Sequence, residues 1–207
     1  MTFLRFIILQ QLTMVLVLGQ IAYSDEAPGV PKQAEVVVRS LYTEVIARHP
    51  VGIPKDADMK AFAPYLSKNL LRRIDLALAC EHDCYRQHLS PKEKPQIEWL
   101  EFGLFTGGNE KVSPSTFDVE RTQAEKDGSI RVHLRLTWGS PSKPWIWRVV
   151  ATVVQEDRHS VVDDVLFLKD ENLDDTESRL SEILASGCDG PRWVGFGNKQ
   201  NDQKKQE

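Results

Sequence analysis

The second half of the chain alternates between apolar and polar side chains, and this pattern constrains the fold more than any other feature. In "SIRVHLRLTW" every second residue from Ile130 to Trp138 is apolar, which is the period of a half-buried β-strand. The predicted strands are 115–125, 129–138, 144–156 and 160–170. Because short connections containing glycine, proline or aspartate join them, we expect an antiparallel meander.

Helical patterns flank these strands. The segment "QAEVVVRSLYTEVIARHP" (33–50) has apolar residues at helical spacing and ends at a proline, which predicts a helix. Asp56 and Ser67 are expected to be the N-caps of a short helix and of a longer one over 68–88. "DDTESRLSEILASG" (174–187) predicts a short C-terminal helix. Helices followed by antiparallel strands indicate an α+β fold, with the N-terminal helices packed on a curved, cone-like sheet.

The connection between helices and strands, residues 90–114, is long for a compact domain. Its large apolar residues are Trp99, Phe102, Leu104 and Phe105. We therefore expect part of this connection to be buried, and loops of this length are often functional.

The N-terminus has the layout of a secretory signal peptide. Arg5 is the only charged residue among the first 24, a mostly apolar run follows it, and Ala22 and Ser24 are the small residues of a cleavage site. An uncleaved anchor is the alternative, but two glutamines and a threonine interrupt the run, and a spanning helix needs roughly 20 apolar residues. We expect cleavage after Ser24, a secreted or periplasmic location, and no stable membrane anchor afterwards.

The remainder is expected to form one domain. Residues 25–32 predict a linker, 33–196 a single α+β domain, and 197–207 a disordered tail. Cleavage would remove one basic residue, Arg5, and none of the 30 acidic ones, so the formal charge would change from −4 to −5. The lysines and arginines are scattered, whereas phosphate binding requires clustered basic residues, so nucleic acid is not an expected partner.

Cysteine and histidine are concentrated in "ACEHDCYRQHL" (79–89). Cys80, Cys84 and His88 are spaced four residues apart, so on a helix they would lie along one face and span about 12 Å of its axis. Zinc binds its ligands at about 2.0–2.3 Å, so three ligands on successive turns cannot close around it, and we expect no metal. No nucleotide-binding or catalytic zinc motif occurs elsewhere in the sequence, so no cofactor is expected.

The same cysteines are candidates for a disulfide, because exported proteins enter an oxidising compartment. Cys188 is the third cysteine of the chain, and we favour a bond between Cys80 and Cys188. Cys84 as the partner of Cys188 and a local Cys80–Cys84 bond remain open alternatives.

Tryptophans gather around one predicted hairpin and are candidates for ligand or partner contact. Trp145 and Trp147 share a strand face, and Trp138 is expected to pair with them across the hairpin. The candidate binding residues are Trp99, Trp138, Trp145, Trp147 and Arg148. Core packing is the alternative for the aromatic residues. We expect the segment "DGPRWVGFG" (189–197) to cover a sheet edge or a pocket mouth.

The order of elements over residues 33–186 resembles the nuclear transport factor 2-like, or cystatin-like, cone superfamily. The resemblance rests on "VVVRSLYTEVIARHP", "FAPYLSKNLLRRI" and "RHSVVDDVLFL". The signal peptide and the ending "GCDGPRWVG" are similar to a secreted bacterial branch that has no assigned biochemical role. The superfamily places its N-terminal helices in the concavity of a bent sheet. Because it includes enzymes, binding proteins and toxin-immunity proteins, its fold does not give the function.

The resemblance also implies catalytic candidates, because enzymes of this fold use an inward-facing aspartate. Asp163 or Asp164 would be the general base of an isomerase or hydratase. Tyr42, Tyr65 or His133 would assist it, although His133 is expected on the polar face of its strand. The alternative is an ion pair between these aspartates and an arginine of a neighbouring strand. The arginines available are Arg135 and Arg148.

Since the sequence contains no catalytic constellation, we expect an exported binding protein whose concave sheet face contacts a small molecule or a protein partner. The isomerase or hydratase and a structural, envelope-associated role are the alternatives. A cavity between helices and sheet would favour a small ligand, whereas helices that fill the concave face would favour a partner surface.

Overall fold

A computed structural model describes residues 29–87, 97, 99–108, 111–168 and 176–186. Over these residues the chain is α+β: helices come first, a five-stranded antiparallel sheet follows, and a short helix ends the described part. The strands are ordered in the sheet as they are in the chain, and the curved sheet does not close on itself. The predicted fold class is therefore confirmed.

Four α-helices and one 3₁₀ turn make up the helical part of the described residues. They are α1 (Val30–Arg48), α2 (Asp56–Phe62), the 3₁₀ turn Ala63–Tyr65, α3 (Lys68–Gln87) and α4 (Leu180–Ser186). α1 begins inside the predicted linker because a proline in the first turn lacks only an N–H that has no helical partner. Ser67 caps α3 as predicted, since its Oγ accepts a hydrogen bond from the Leu70 backbone N at 2.9 Å. The Asp56 cap is wrong by one residue, because Lys55 occupies the N-cap and Asp56 starts the helix.

The four predicted strands are confirmed and a fifth is added. The strands are β1 (Thr116–Ala124), β2 (Ile130–Ser140), β3 (Lys143–Glu156), β4 (His159–Leu168) and β5 (Thr176–Arg179). The segment "TESR" of β5 was expected to be helical, but it pairs with the end of β4, with Ser178 opposite Phe167. A polar tetrapeptide shows no strand period of its own, so tertiary pairing decides its conformation.

The helices and the 99–108 loop cover one face of the sheet. Val38, Leu41 and Tyr42 of α1 are fully buried, as are Leu134 of β2 and Val149 of β3. In the loop, Trp99, Leu104 and Phe105 are also fully buried, which confirms the expectation of a buried connection. These side chains fill the space between α1 and the sheet. No helix within the described ranges is long and apolar enough to span a membrane.

Candidate functional site

The two aspartates of β4 hold the beginnings of two helices. Asp163 Oδ1 accepts hydrogen bonds from Ser67 Oγ at 2.5 Å and from Asn69 Nδ2 at 3.2 Å, at the start of α3. Asp164, only 8% exposed, accepts hydrogen bonds from Ser181 backbone N at 3.0 Å and Ser181 Oγ at 2.7 Å, at the start of α4. Both carboxylates therefore satisfy polar groups at helix N-termini, where negative charge is favourable.

The alternative of an ion pair between these aspartates and the neighbouring arginines is wrong. Arg135 Nη2 donates to Asp118 Oδ2 at 2.7 Å, and Arg148 Nε donates to Glu120 Oε2 at 2.9 Å. The register explains this choice, because Asp118, Arg135 and Arg148 lie directly opposite one another on β1, β2 and β3. Val149 pairs with Phe167 of β4, so Arg148 lies several residues away from the β4 aspartates along the strand direction.

The assisting groups lie in three different environments. Tyr42 Oη donates to the Phe105 carbonyl at 2.7 Å, and complete burial raises the pKa of its phenol far above the ordinary value. Tyr65 is half-buried and lines an open groove beside the β3–β4 turn. His133 projects from the polar side of β2 as expected, yet it is buried, because Arg121 of β1 contacts its ring at 3.1 Å.

The described residues therefore do not bring the catalytic candidates into one pocket. Asp163 and Asp164 are each used to anchor a helix, Tyr42 is bonded to a loop carbonyl, and His133 contacts a cation. General acid–base catalysis requires the base within hydrogen-bond reach of its proton. None of these pairs offers a shared space for a substrate.

The β2–β3 hairpin, residues 137–148, forms what we call the aromatic arm. Trp138 and Trp145 lie directly opposite each other and are 37% and 59% exposed, and Ile146 beside them is 43% exposed. Trp147 is half-buried, and its Nε1 donates to the Thr106 carbonyl at 2.7 Å. In the described part of the chain, β4 pairs with β3 only from Val149 onward. The arm thus extends past β4 with its outer tryptophan pair uncovered.

The predicted binding residues divide into three groups. Trp138 and Trp145 form the exposed pair, and Trp147 anchors the base of the arm. Trp99 lies in the core, where its Nε1 contacts Glu81 Oε2 at 3.3 Å. Arg148 is held by Glu120 on β1.

Cys80 and Cys84 are both buried on the core side of α3. Among the described residues no group of His, Cys, Asp or Glu is arranged to hold a metal ion. His88 and Cys188 lie outside the described residues, as does the 189–197 segment. The disulfide pairing and the covering role of that segment therefore stay predictions.

Glu81, in the middle of "ACEHDCYRQHL", is a buried carboxylate that the sequence analysis did not single out. It is 4% exposed, and its Oε1 accepts a hydrogen bond from Lys55 Nζ at 2.9 Å. It lies in a groove of about 630 Å³ whose lining includes Arg48, His82 and Tyr85. The signal was its place on the apolar stripe of the helix between Ala77 and Cys84, where a charged residue needs a partner.

Comparison of the chain with protein-family models, with curated proteins and with solved structures gives no match. A function must therefore be inferred from the geometry and chemistry of the described residues. The exposed tryptophans of the aromatic arm are the feature that most requires an explanation.

Proposed function

We propose that this protein is an exported, single-domain binding protein that contacts a protein partner through the aromatic arm. The observation that carries the proposal is the cross-strand pair of Trp138 and Trp145 with the exposed Ile146 beside it. Tryptophan is enriched among the few residues that provide most of the binding energy at protein interfaces. A contiguous exposed apolar patch on a soluble protein typically marks an interaction surface.

Shape favours a protein partner over a small molecule at this place. Small-molecule sites are concave and enclose most of the ligand surface. The side of the sheet that would form such a cavity is occupied by α1 and by the 99–108 loop, with Leu41, Tyr42 and Phe105 fully buried. The arm instead projects beyond β4, where a complementary protein surface can cover both tryptophans.

Membership of the nuclear transport factor 2-like superfamily is part of the proposal. Helices packed on one face of a curved, open antiparallel sheet support it. The isomerase or hydratase alternative required Asp163 or Asp164 to share a pocket with a tyrosine or with His133. The described residues do not meet that requirement, so we do not propose catalysis.

Export and a disulfide complete the proposal. The apolar run after Arg5 and the small residues before Asp25 support export, and export supports oxidation of the cysteines. Peptide mapping of the exported protein without reduction should recover Cys80 bonded to Cys188. A peptide in which Cys84 is bonded to either of the other two would contradict that pairing without touching the role of the arm.

Site-specific photo-crosslinking in the cells that export the protein tests the role of the arm. A photoreactive residue at position 145 or 146 should give a discrete crosslinked product. The same residue at the exposed Lys126, in the β1–β2 turn, should give none. Substitution Trp138→Ala should reduce the yield at position 146, whereas Val36→Ala, which removes a comparably exposed apolar residue from α1, should not.

Two results would contradict this proposal. One is the absence of any product at positions 145 and 146 when the protein is present at its natural level. The other is an equal yield at Lys126, which would show that the arm is no more a contact surface than an ordinary turn.

A further inference from the structure

A second groove lies on the opposite end of the described sheet from the aromatic arm, where the β3–β4 turn meets α1. Its volume is about 450 Å³, which is within the range of small-molecule sites. α1, the 3₁₀ turn and the β3–β4 hairpin all contribute to it. The residues that line it are Gln33, Val36, Val37, Ser40, Pro64, Tyr65, Arg158, His159 and Ser160.

One side of this groove is apolar and the other consists of hydrogen-bond donors. Val36 and Val37 of α1 form the apolar wall, and Val36 is 57% exposed. Across from them lie Tyr65, Arg158 and His159. Within the described part of the chain, these three side chains make no hydrogen bond, so their donors remain available to a ligand.

The charge of Arg158 is not compensated by its acidic neighbours. Asp157 Oδ2 accepts a hydrogen bond from Lys68 Nζ at 2.6 Å, and this lysine also lowers the pKa of the Asp157 carboxyl. Glu156 Oε2 accepts a hydrogen bond from the Lys68 backbone N at 3.2 Å. Both acids are thus engaged at the start of α3, and the guanidinium beside the groove keeps a net positive charge.

The backbone of this turn is also unusual for its residues. Asp157 and Arg158 have φ values of 48° and 68°, and two-residue hairpins with positive φ at both positions favour sequences such as Asn-Gly. A glycine would adopt this conformation without strain. An arginine held in such a conformation at the edge of a groove is an outlier of the kind found at ligand-binding sites.

We infer that this groove binds a small organic monocarboxylate with an apolar body. Arg158 would bind the carboxylate through charge-assisted hydrogen bonds, Tyr65 would donate a further hydrogen bond, and Val36 and Val37 would contact the apolar body. One uncompensated positive charge matches a monoanion. This inference is independent of the role proposed for the aromatic arm, because the two sites share no residue.

Calorimetric titration with octanoate tests the inference, with octan-1-ol as the matched uncharged ligand. Octanoate should bind at least about tenfold more tightly than octan-1-ol, because loss of a hydrogen bond to a charged group has an effect of this size. Substitution Arg158→Gly should weaken octanoate binding by at least about tenfold. Its thermal midpoint should stay the same or rise, since glycine suits the positive φ, so any lost binding is not a loss of folding.

Asp157→Gly is the control variant, because it makes the same change of backbone at the adjacent position and retains Arg158. It should bind octanoate as tightly as the unmodified protein. The inference is overturned if octanoate does not bind at millimolar concentration, if octan-1-ol binds equally well, or if Arg158→Gly leaves the affinity unchanged. Equal loss in both glycine variants would also overturn it, because the turn and not the guanidinium would then be responsible.

Discussion

Replacement of Asp164 by alanine should destabilise the fold strongly, because this carboxylate attaches α4 to β4. The side chain is 8% exposed and accepts two hydrogen bonds from Ser181, one from the backbone N and one from Oγ. Hydrogen bonds to a charged group contribute about 1.5–3 kcal/mol each. Allowing for the charge that is no longer buried, Asp164→Ala should lower the free energy of unfolding by about 3 kcal/mol.

The assay is urea denaturation followed by circular dichroism, with a double-mutant cycle. Ser181→Ala removes only the hydroxyl and should lower the free energy of unfolding by about 1 kcal/mol. The two substitutions together should be less harmful than the sum of their separate effects, with a coupling energy of about 1–2 kcal/mol. Asp118→Ala, which removes an exposed carboxylate from β1, is the control and should have little effect.

Hydrogen exchange locates the effect. Amides of α4 should lose protection in Asp164→Ala, while those of β2 and β3 should change only with the global stability. If Asp164→Ala is as stable as the unmodified protein, or if its effect simply adds to that of Ser181→Ala, the anchoring role is refuted. The carboxylate would then be available for another role, including the catalytic one that we do not propose.

Three further predictions concern buried polar groups. Tyr42→Phe should lower stability by about 1 kcal/mol at neutral pH, because it leaves a loop carbonyl without its donor. Since burial raises the pKa of the Tyr42 phenol, this residue's contribution is complete below the unfolded-state pKa near 10 and is lost as pH rises above it; a pH series of urea midpoints should show a smaller alkaline loss for Tyr42→Phe, and equal losses would count against burial as the cause. Ser67→Ala should lower the urea-derived stability by about 1–2 kcal/mol through loss of the α3 cap, and a change near zero would show that the cap is dispensable. Lys55→Ala should destabilise more than Glu81→Gln in the same assay, because the lysine side chain is 53% exposed and regains water whereas the glutamate is 5% exposed and would remain buried without its partner; the opposite order would contradict this reading of the pair.

The sequence predicted the parts of the fold that have a clear period. The alternation in β2 and the helical spacing in α1 identified both elements, and the Ser67 cap followed from residue type and position. The four-residue β5 was missed, since its polar residues carry no strand pattern and its conformation comes from pairing with Phe167 and its neighbours. Local signals cannot reveal a strand whose only stabilising contacts are distant in sequence.

The site could be predicted only in part, for a similar reason. The pairing of Trp138 with Trp145 followed from strand alternation and from the position of the hairpin. Their exposure did not, because it depends on β4 pairing with β3 only from Val149 onward among the described residues. The roles of Asp163 and Asp164 also depend on helices that lie elsewhere in the sequence, so adjacent carboxylates alone suggested catalysis where the fold uses them as anchors.

The central claim is that the aromatic arm binds a protein partner, and the most direct measurement is the affinity of the purified crosslinked partner for the Trp138→Ala/Trp145→Ala double variant. A fully covered tryptophan buries up to about 250 Å², so exposed fractions of 37% and 59% leave about 90 and about 150 Å² to be covered by the partner. At about 25 cal/mol per Å² this area sets a ceiling of about 6 kcal/mol, of which association retains only part. We predict that the double variant binds at least about thirtyfold more weakly, which corresponds to about 2 kcal/mol, with little change in its free energy of unfolding. An affinity within about twofold of the unmodified protein, which is below about 0.5 kcal/mol, would contradict the claim.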